Sequence, residues 1–124
     1  MQEVNNQIKP WMLYDGTRFI RININDIAYL EASRVYCQIH MKAVGQEKKG
    51  KIYTLSRPLG EVQKSLPADT FVRIHRSYTI NIWTIQMVMG RYVTLTDGTQ
   101  LMMGEQFSDA FEGRFMILNQ PYPK

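Results

Sequence analysis

Cysteine occurs once in the 124 residues, as Cys37, so no disulfide can close within the chain and no cysteine cluster can hold zinc. A single free thiol fits a reducing compartment. Histidine is nearly as scarce: His40 and His75 are the whole supply for general acid or base work near neutral pH. His75 and Ser77 stand at i, i+2, yet no Gly-X-Ser-X-Gly elbow surrounds them. Also missing are the Gly-X-X-X-X-Gly-Lys-Ser/Thr phosphate loop, a His-Glu-X-X-His helix and an aspartate-rich calcium loop. The expectation is a non-enzyme with no cofactor, no metal and no small-molecule substrate. No run of about 18 apolar residues and no basic-then-apolar leader occurs, which predicts a cytoplasmic chain with neither membrane span nor signal peptide.

What is present describes an ordinary folded domain. The hydrophobic fraction of 44% with 21% charged residues is far from the composition of disordered chains, and the length suits one domain with one core. Fifteen Lys and Arg against eleven Asp and Glu leave a formal charge of +4, which favours a polyanionic partner without requiring one. Residues 1–12 are polar and amide-rich and read as a flexible leader, the domain runs over 13–118, and 119–124 form a tail.

Along the domain the period is that of strands. Tyr14 to Thr17 reads as a turn into an alternating strand from Arg18 to Ile24. Strands follow at Ile27 to Glu31, Val35 to Ala43 and Lys51 to Leu55, the last two joined by a Gly45 to Gly50 loop whose Lys48 and Lys49, with Lys51, read as solubilising. Leu59, Val62 and Leu66 then repeat as the stripe of one short helix, stopped by Pro67. Strand pattern resumes at Phe71 to His75, Ile85 to Met89 and Tyr92 to Thr96, where Asp97-Gly98 predicts a two-residue hairpin turn into Gln100 to Met103. Phe107, Ala110 and Phe111 mark a final short helix over Glu105 to Glu112. The methionines of these strands, among eight in the chain, read as core filler.

The stretch Leu66-Pro67 … Phe71-Val72-Arg73-Ile74-His75-Arg76-Ser77-Tyr78-Thr79-Ile80-Asn81 closely resembles the central motif of the LytTR DNA-binding family. Ile24 to Ala32, Pro58 to Val62 and Asp97-Gly98 with Leu101 are similar to its flanking stretches, so the resemblance covers about Leu13 to Leu118. It implies a mainly β fold, an elongated arrangement of small antiparallel sheets with one or two short helices. It further implies a bacterial response regulator or other transcription regulator that binds double-stranded DNA, with loops from one side entering successive major grooves; homodimers on paired half-sites are compatible with this.

By the same resemblance, groove contacts come from three places. The first is Ser33 to Cys37, with Arg34 and Tyr36. The second is the central motif, where Arg76, whose planar fork suits guanine N7 and O6, lies beside Ser77. Arg73 and His75 complete the motif's DNA-binding candidates, but they share a strand parity with Phe71, which predicts that they face the scaffold: His75 is expected to satisfy a turn hydrogen bond, and Arg73 to pair with an acid or a phosphate. The third is Gly104 to Phe107, where family members usually carry basic residues and this chain has Glu105-Gln106; Gln106 suits adenine, while Glu105 suits a helix start and repels phosphate. That departure motivates an alternative reading, a protein-interaction module that has lost base-specific DNA reading.

Overall fold

The computed structural model describes residues 9–120. Alternation builds its centre: β3 (Ile27–Ser33) and β4 (Tyr36–Met41) pair Leu30 with Ile39 and Ala32 with Cys37, which turns Leu30, Cys37 and Ile39 to one face. β5 (Ile52–Leu55), β6 (Phe71–His75) and β7 (Tyr78–Asn81) complete a five-stranded antiparallel sheet in the order β5-β4-β3-β7-β6. Two smaller antiparallel sheets accompany it. One is the hairpin of β1 (Trp11–Tyr14) and β2 (Phe19–Ile22); the other joins β10 (Gln100–Met102), β9 (Tyr92–Leu95) and β8 (Ile85–Met89). The described residues contain two short helices, α1 (Leu59–Gln63) and α2 (Ser108–Glu112). The fold is mainly β, as the sequence predicts. Among the described residues no helix is long and apolar enough to cross a membrane.

The expectation of one core is corrected to two, because the central strands are apolar on both faces. Leu30, Cys37, Ile39 and Phe71 pack with Ile22, Leu59, Val62 and Leu66 on one side. Val72, Ile74 and Ile80 pack with Val93, Leu95, Leu101 and Phe111 on the other. The two satellite sheets and the helices are thus covers for a sheet that neither could bury alone.

Other boundaries also move. Trp11 and Met12, assigned by sequence to the leader, lie in β1 and pair with Ile22 and Arg21; residues 1–8 and 121–124 lie outside the described residues. β7 is a strand that the sequence reading leaves unassigned. α1 ends at Gln63, and the chain tightens through a Leu66 N–H to Gln63 C=O bond of 3.1 Å because the residue before Pro67 is disfavoured in a helix. The final helix splits into a 3-10 turn, Glu105–Phe107, and α2, with Phe111 buried but Ala110 exposed. The β9–β10 turn spans Thr96, Asp97 and Gly98 rather than two residues: Leu95 N–H donates to Thr99 C=O at 2.7 Å, Thr99 N–H to Asp97 Oδ1 at 2.8 Å, and Gly98 takes φ 90°, a conformation that glycine adopts without steric cost.

Candidate nucleic-acid interface

The three places that the sequence marks for groove contact come together at one end of the molecule. The β3–β4 hairpin closes at Ser33 opposite Tyr36, leaving Arg34 and Val35 at its tip. Both are exposed, and Arg34 holds φ 61°. A left-handed arginine costs about 1–2 kcal/mol, which the paired register on either side sustains. Tyr36, 46% exposed, flanks the tip.

The β6–β7 hairpin closes at His75 opposite Tyr78, with Arg76 and Ser77 between them. A bulge between Arg73 and His75 brings the turn's carbonyls onto the Arg73 guanidinium. Arg73 Nε donates to the His75 carbonyl at 2.8 Å, and Nη2 donates to the Arg76 carbonyl. The described partners of Arg73 are therefore the backbone of its own turn, not an acid, and burial pulls its pKa below the ordinary value. His75 forms the expected turn bond: its Nδ1 accepts from the Ser77 N–H at 3.0 Å, which places a neutral ring's proton on Nε2. Ser77 is half-buried, and Arg76 alone of this group is exposed.

Backbone bonds hold the tips side by side. Ala32 N–H donates to the Ser77 carbonyl at 2.8 Å, tying the two hairpins together. Gly104 N–H donates to the Ile74 carbonyl at 2.7 Å, and the preceding Met103 N–H donates to the Arg91 carbonyl at 2.7 Å. Met103 and Gly104 thus splice the end of β6 to the β8–β9 tip, where Gly90 and Arg91 lie between Met89 and Tyr92. The third segment, with Glu105 and Gln106 both exposed, occupies this splice.

The arginines divide by partner. Arg18 bonds Asp15, Arg57 bonds Glu61, Arg114 bonds the Phe71 carbonyl, and Arg73 clamps its turn. Among the described residues Arg21, Arg34, Arg76 and Arg91 have no such partner, and the last three share one end of the fold. The sequence reading passes over Arg91; the signal was a Gly-Arg pair between two strand-like stretches. His40, by contrast, is engaged within the sheet. It stacks on Tyr29 at 4.1 Å and meets Glu31 at 3.0 Å; burial lowers its pKa against the opposing pull of that carboxylate.

Known proteins share both the sequence and the shape. The family model for the LytTr DNA-binding domain matches residues 17–116. The transcriptional regulatory protein LytR of Staphylococcus aureus strain N315 is 34% identical over 71 residues, 53% of this chain and 29% of that protein, and LytR of strain USA300 gives the same match. The match therefore spans less than a third of those relatives. A solved LytTr DNA-binding domain from Bacillus cereus superposes with a TM-score of 0.69 at 19% identity, covering 85% of this chain and 94% of that one. With the family model extending from the turn before β2 to beyond α2, the chain belongs to the LytTR family of DNA-binding domains.

Proposed function

We propose that the chain recognises a particular double-stranded DNA sequence for a bacterial transcription regulator, its turns reading successive major grooves along one side of the duplex. The observation that carries this is the bond between Ala32 and Ser77, which locks two hairpin tips together, each bearing an exposed arginine without a protein partner. Hydrogen-bonded strands lie about 4.8 Å apart, so the Arg34 and Arg76 tips are separated by about 10 Å, within a major groove about 12 Å wide. The Arg91 tip, on the sheet that covers one face of β6 and β7, stands about 10 Å to the side of the Arg76 tip. Arg76, projecting from a turn that Arg73 stiffens, is the base reader, and Arg34 contacts a base or a phosphate beside it. The reading assigns the chain no chemistry of its own.

The exposed Glu105, with Asp109 and Glu112 following on α2, favours a second reading in which the scaffold docks on a protein instead. One experiment separates the two. Fluorescence anisotropy is measured on duplexes selected from a random pool, with competitor DNA and a salt titration. A short motif bound orders of magnitude above competitor, weakened by about 1–3 kcal/mol and relaxed in sequence preference in Arg76→Ala, is the expected result. Weak binding with no selected motif would move the function to protein docking.

A further inference from the structure

We propose that Arg91 is a phosphate anchor, a sequence-independent contact made from the turn between β8 and β9. The proposal rests on the DNA-binding reading above and concerns a residue that the central motif does not include.

Three observations place it. First, Arg91 is exposed and has no hydrogen bond or ion pair among the described residues, so its guanidinium is free for a ligand. Second, its backbone is fixed. The Arg91 carbonyl accepts from Met103 N–H at 2.7 Å, one residue before the bond from Gly104 to Ile74 on β6, and Gly90 at φ 61° closes the tip in a conformation that needs no strain from a side chain. An arginine on a tied turn loses less freedom on binding than one on a loose loop. Third, its surroundings contain little that competes for it. The side chains paired around it, Met89, Tyr92 and Met102, carry no carboxylate, the two methionines being exposed here and not the core filler that their strand pattern suggests; Glu105 forms no ion pair with it.

Spacing decides between a phosphate and a base. The Arg91 turn belongs to the sheet that covers the Val72, Ile74 and Ile80 face of β6 and β7, so its tip stands to one side of the Arg76 tip by about one sheet-to-sheet spacing, roughly 10 Å. With Arg76 in a groove about 12 Å wide, a side chain about 10 Å to one side reaches the phosphate edge instead of the base edges of that groove. A guanidinium there forms charge-assisted, bidentate bonds to phosphate oxygens.

The test is a salt titration of full-chain wild type, Arg91→Ala, Arg91→Lys and Arg76→Ala on a selected duplex and on random-sequence duplex, with urea unfolding as a check on folding. Arg91→Ala is expected to bind both duplexes about 3- to 10-fold more weakly at low salt, with the same preferred motif. The slope of log K against log salt should be shallower by about 0.9, the value for one phosphate, and Arg91→Lys should restore it. Arg76→Ala should instead lower affinity for the selected duplex alone. If Arg91→Ala matches wild type in affinity and slope while Arg76→Ala weakens the selected complex, the anchor is refuted and the DNA reading stands. A changed motif in Arg91→Ala would make the residue a base reader and refute it as well. Failure of the wild type to bind any duplex would overturn the DNA reading itself, and the anchor with it.

Discussion

Replacing Arg73 with alanine removes both arms of the clamp beneath the β6–β7 turn, the bonds from Nε to the His75 carbonyl and from Nη2 to the Arg76 carbonyl. A hydrogen bond with one charged partner contributes about 1.5–3 kcal/mol. The Arg76 carbonyl lies at an exposed turn where water replaces the lost donor, so its bond counts for a fraction; the one to His75 is half-buried and counts nearly in full. The expected loss is therefore about 2–3 kcal/mol, a fall in Tm of roughly 10 °C for a domain of this size. Arg73→Lys keeps the charge but cannot span two carbonyls with a single ammonium, and should lose about half as much. Urea unfolding with an unchanged m-value measures stability; anisotropy well below the lowered Tm measures recognition. Because the clamp positions Arg76, Arg73→Ala should also discriminate less between the selected duplex and competitor, with its salt slope preserved. A variant as stable as wild type to within about 0.5 kcal/mol that loses affinity and about 0.9 of salt slope would show Arg73 on a phosphate and the clamp argument wrong.

Two further predictions concern the scaffold. Asn81 is 1% exposed; its Nδ2 donates to the Ile27 carbonyl at 2.9 Å and its Oδ1 accepts from Trp83 N–H at 2.9 Å, so the near-isosteric Asn81→Leu strands two backbone groups and should cost about 2–4 kcal/mol in urea unfolding; a cost under about 1 kcal/mol would contradict this. Cys37 is fully buried, and burial pushes its thiol from 9.0 up to about 11. The unfolded thiol ionises near its ordinary value while the folded one keeps its proton, so this part of the stability is intact below pH 9 and lost as pH rises toward 11. Between about pH 8 and pH 10.5 wild type should lose about 2 kcal/mol more than Cys37→Ala, and parallel stability curves for the two would refute the assignment.

Whatever alternates cleanly was legible in the sequence. The apolar faces of β3 and β6 and the stripe of Leu59, Val62 and Leu66 are local patterns, and the structure buries all three stripe residues. β7 was not legible, because its buried positions include Thr79 at 0% and Asn81 at 1% exposure. Polar residues are stable there only through partners distant in sequence, Gln63 for Thr79 and Ile27 for Asn81. β1 was hidden for a different reason: its residues alternate between half-buried and exposed, a faint signal directly after a polar leader. At the interface, the resemblance located Arg34 and Arg76 at their turns, but Arg73 depended on a bulge that no residue pattern announces. Arg91 lay outside the central motif altogether, and the Met103 bond, continued by the one from Gly104 to Ile74, ties its turn to the others.

Charge was legible as a sum and misleading as a guide to place. Much of the +4 excess resides in Lys42, Lys48, Lys49 and Lys51, which follow the end of β4 that pairs with Ile27, opposite the end that carries Arg34. Six residues of strand separate the two ends, about 20 Å at 3.3 Å per residue. At physiological salt the Debye length is about 8 Å, so those lysines are screened by more than two Debye lengths from DNA held at the turns. They are expected to contribute little to the proposed complex. The turn end carries no such crowd: among the described residues it has Arg34, Arg76 and Arg91 without a protein partner, opposed by Glu105. With so few cations the proposed reading predicts a weak non-specific electrostatic hold on DNA, with discrimination coming from where the turns place those arginines. On that reading the bonds from Ala32 to Ser77 and from Gly104 to Ile74, which hold the turns in place, should matter more to recognition than the lysine-rich loop, so loosening either bond should cost discrimination that neutralising the loop lysines does not.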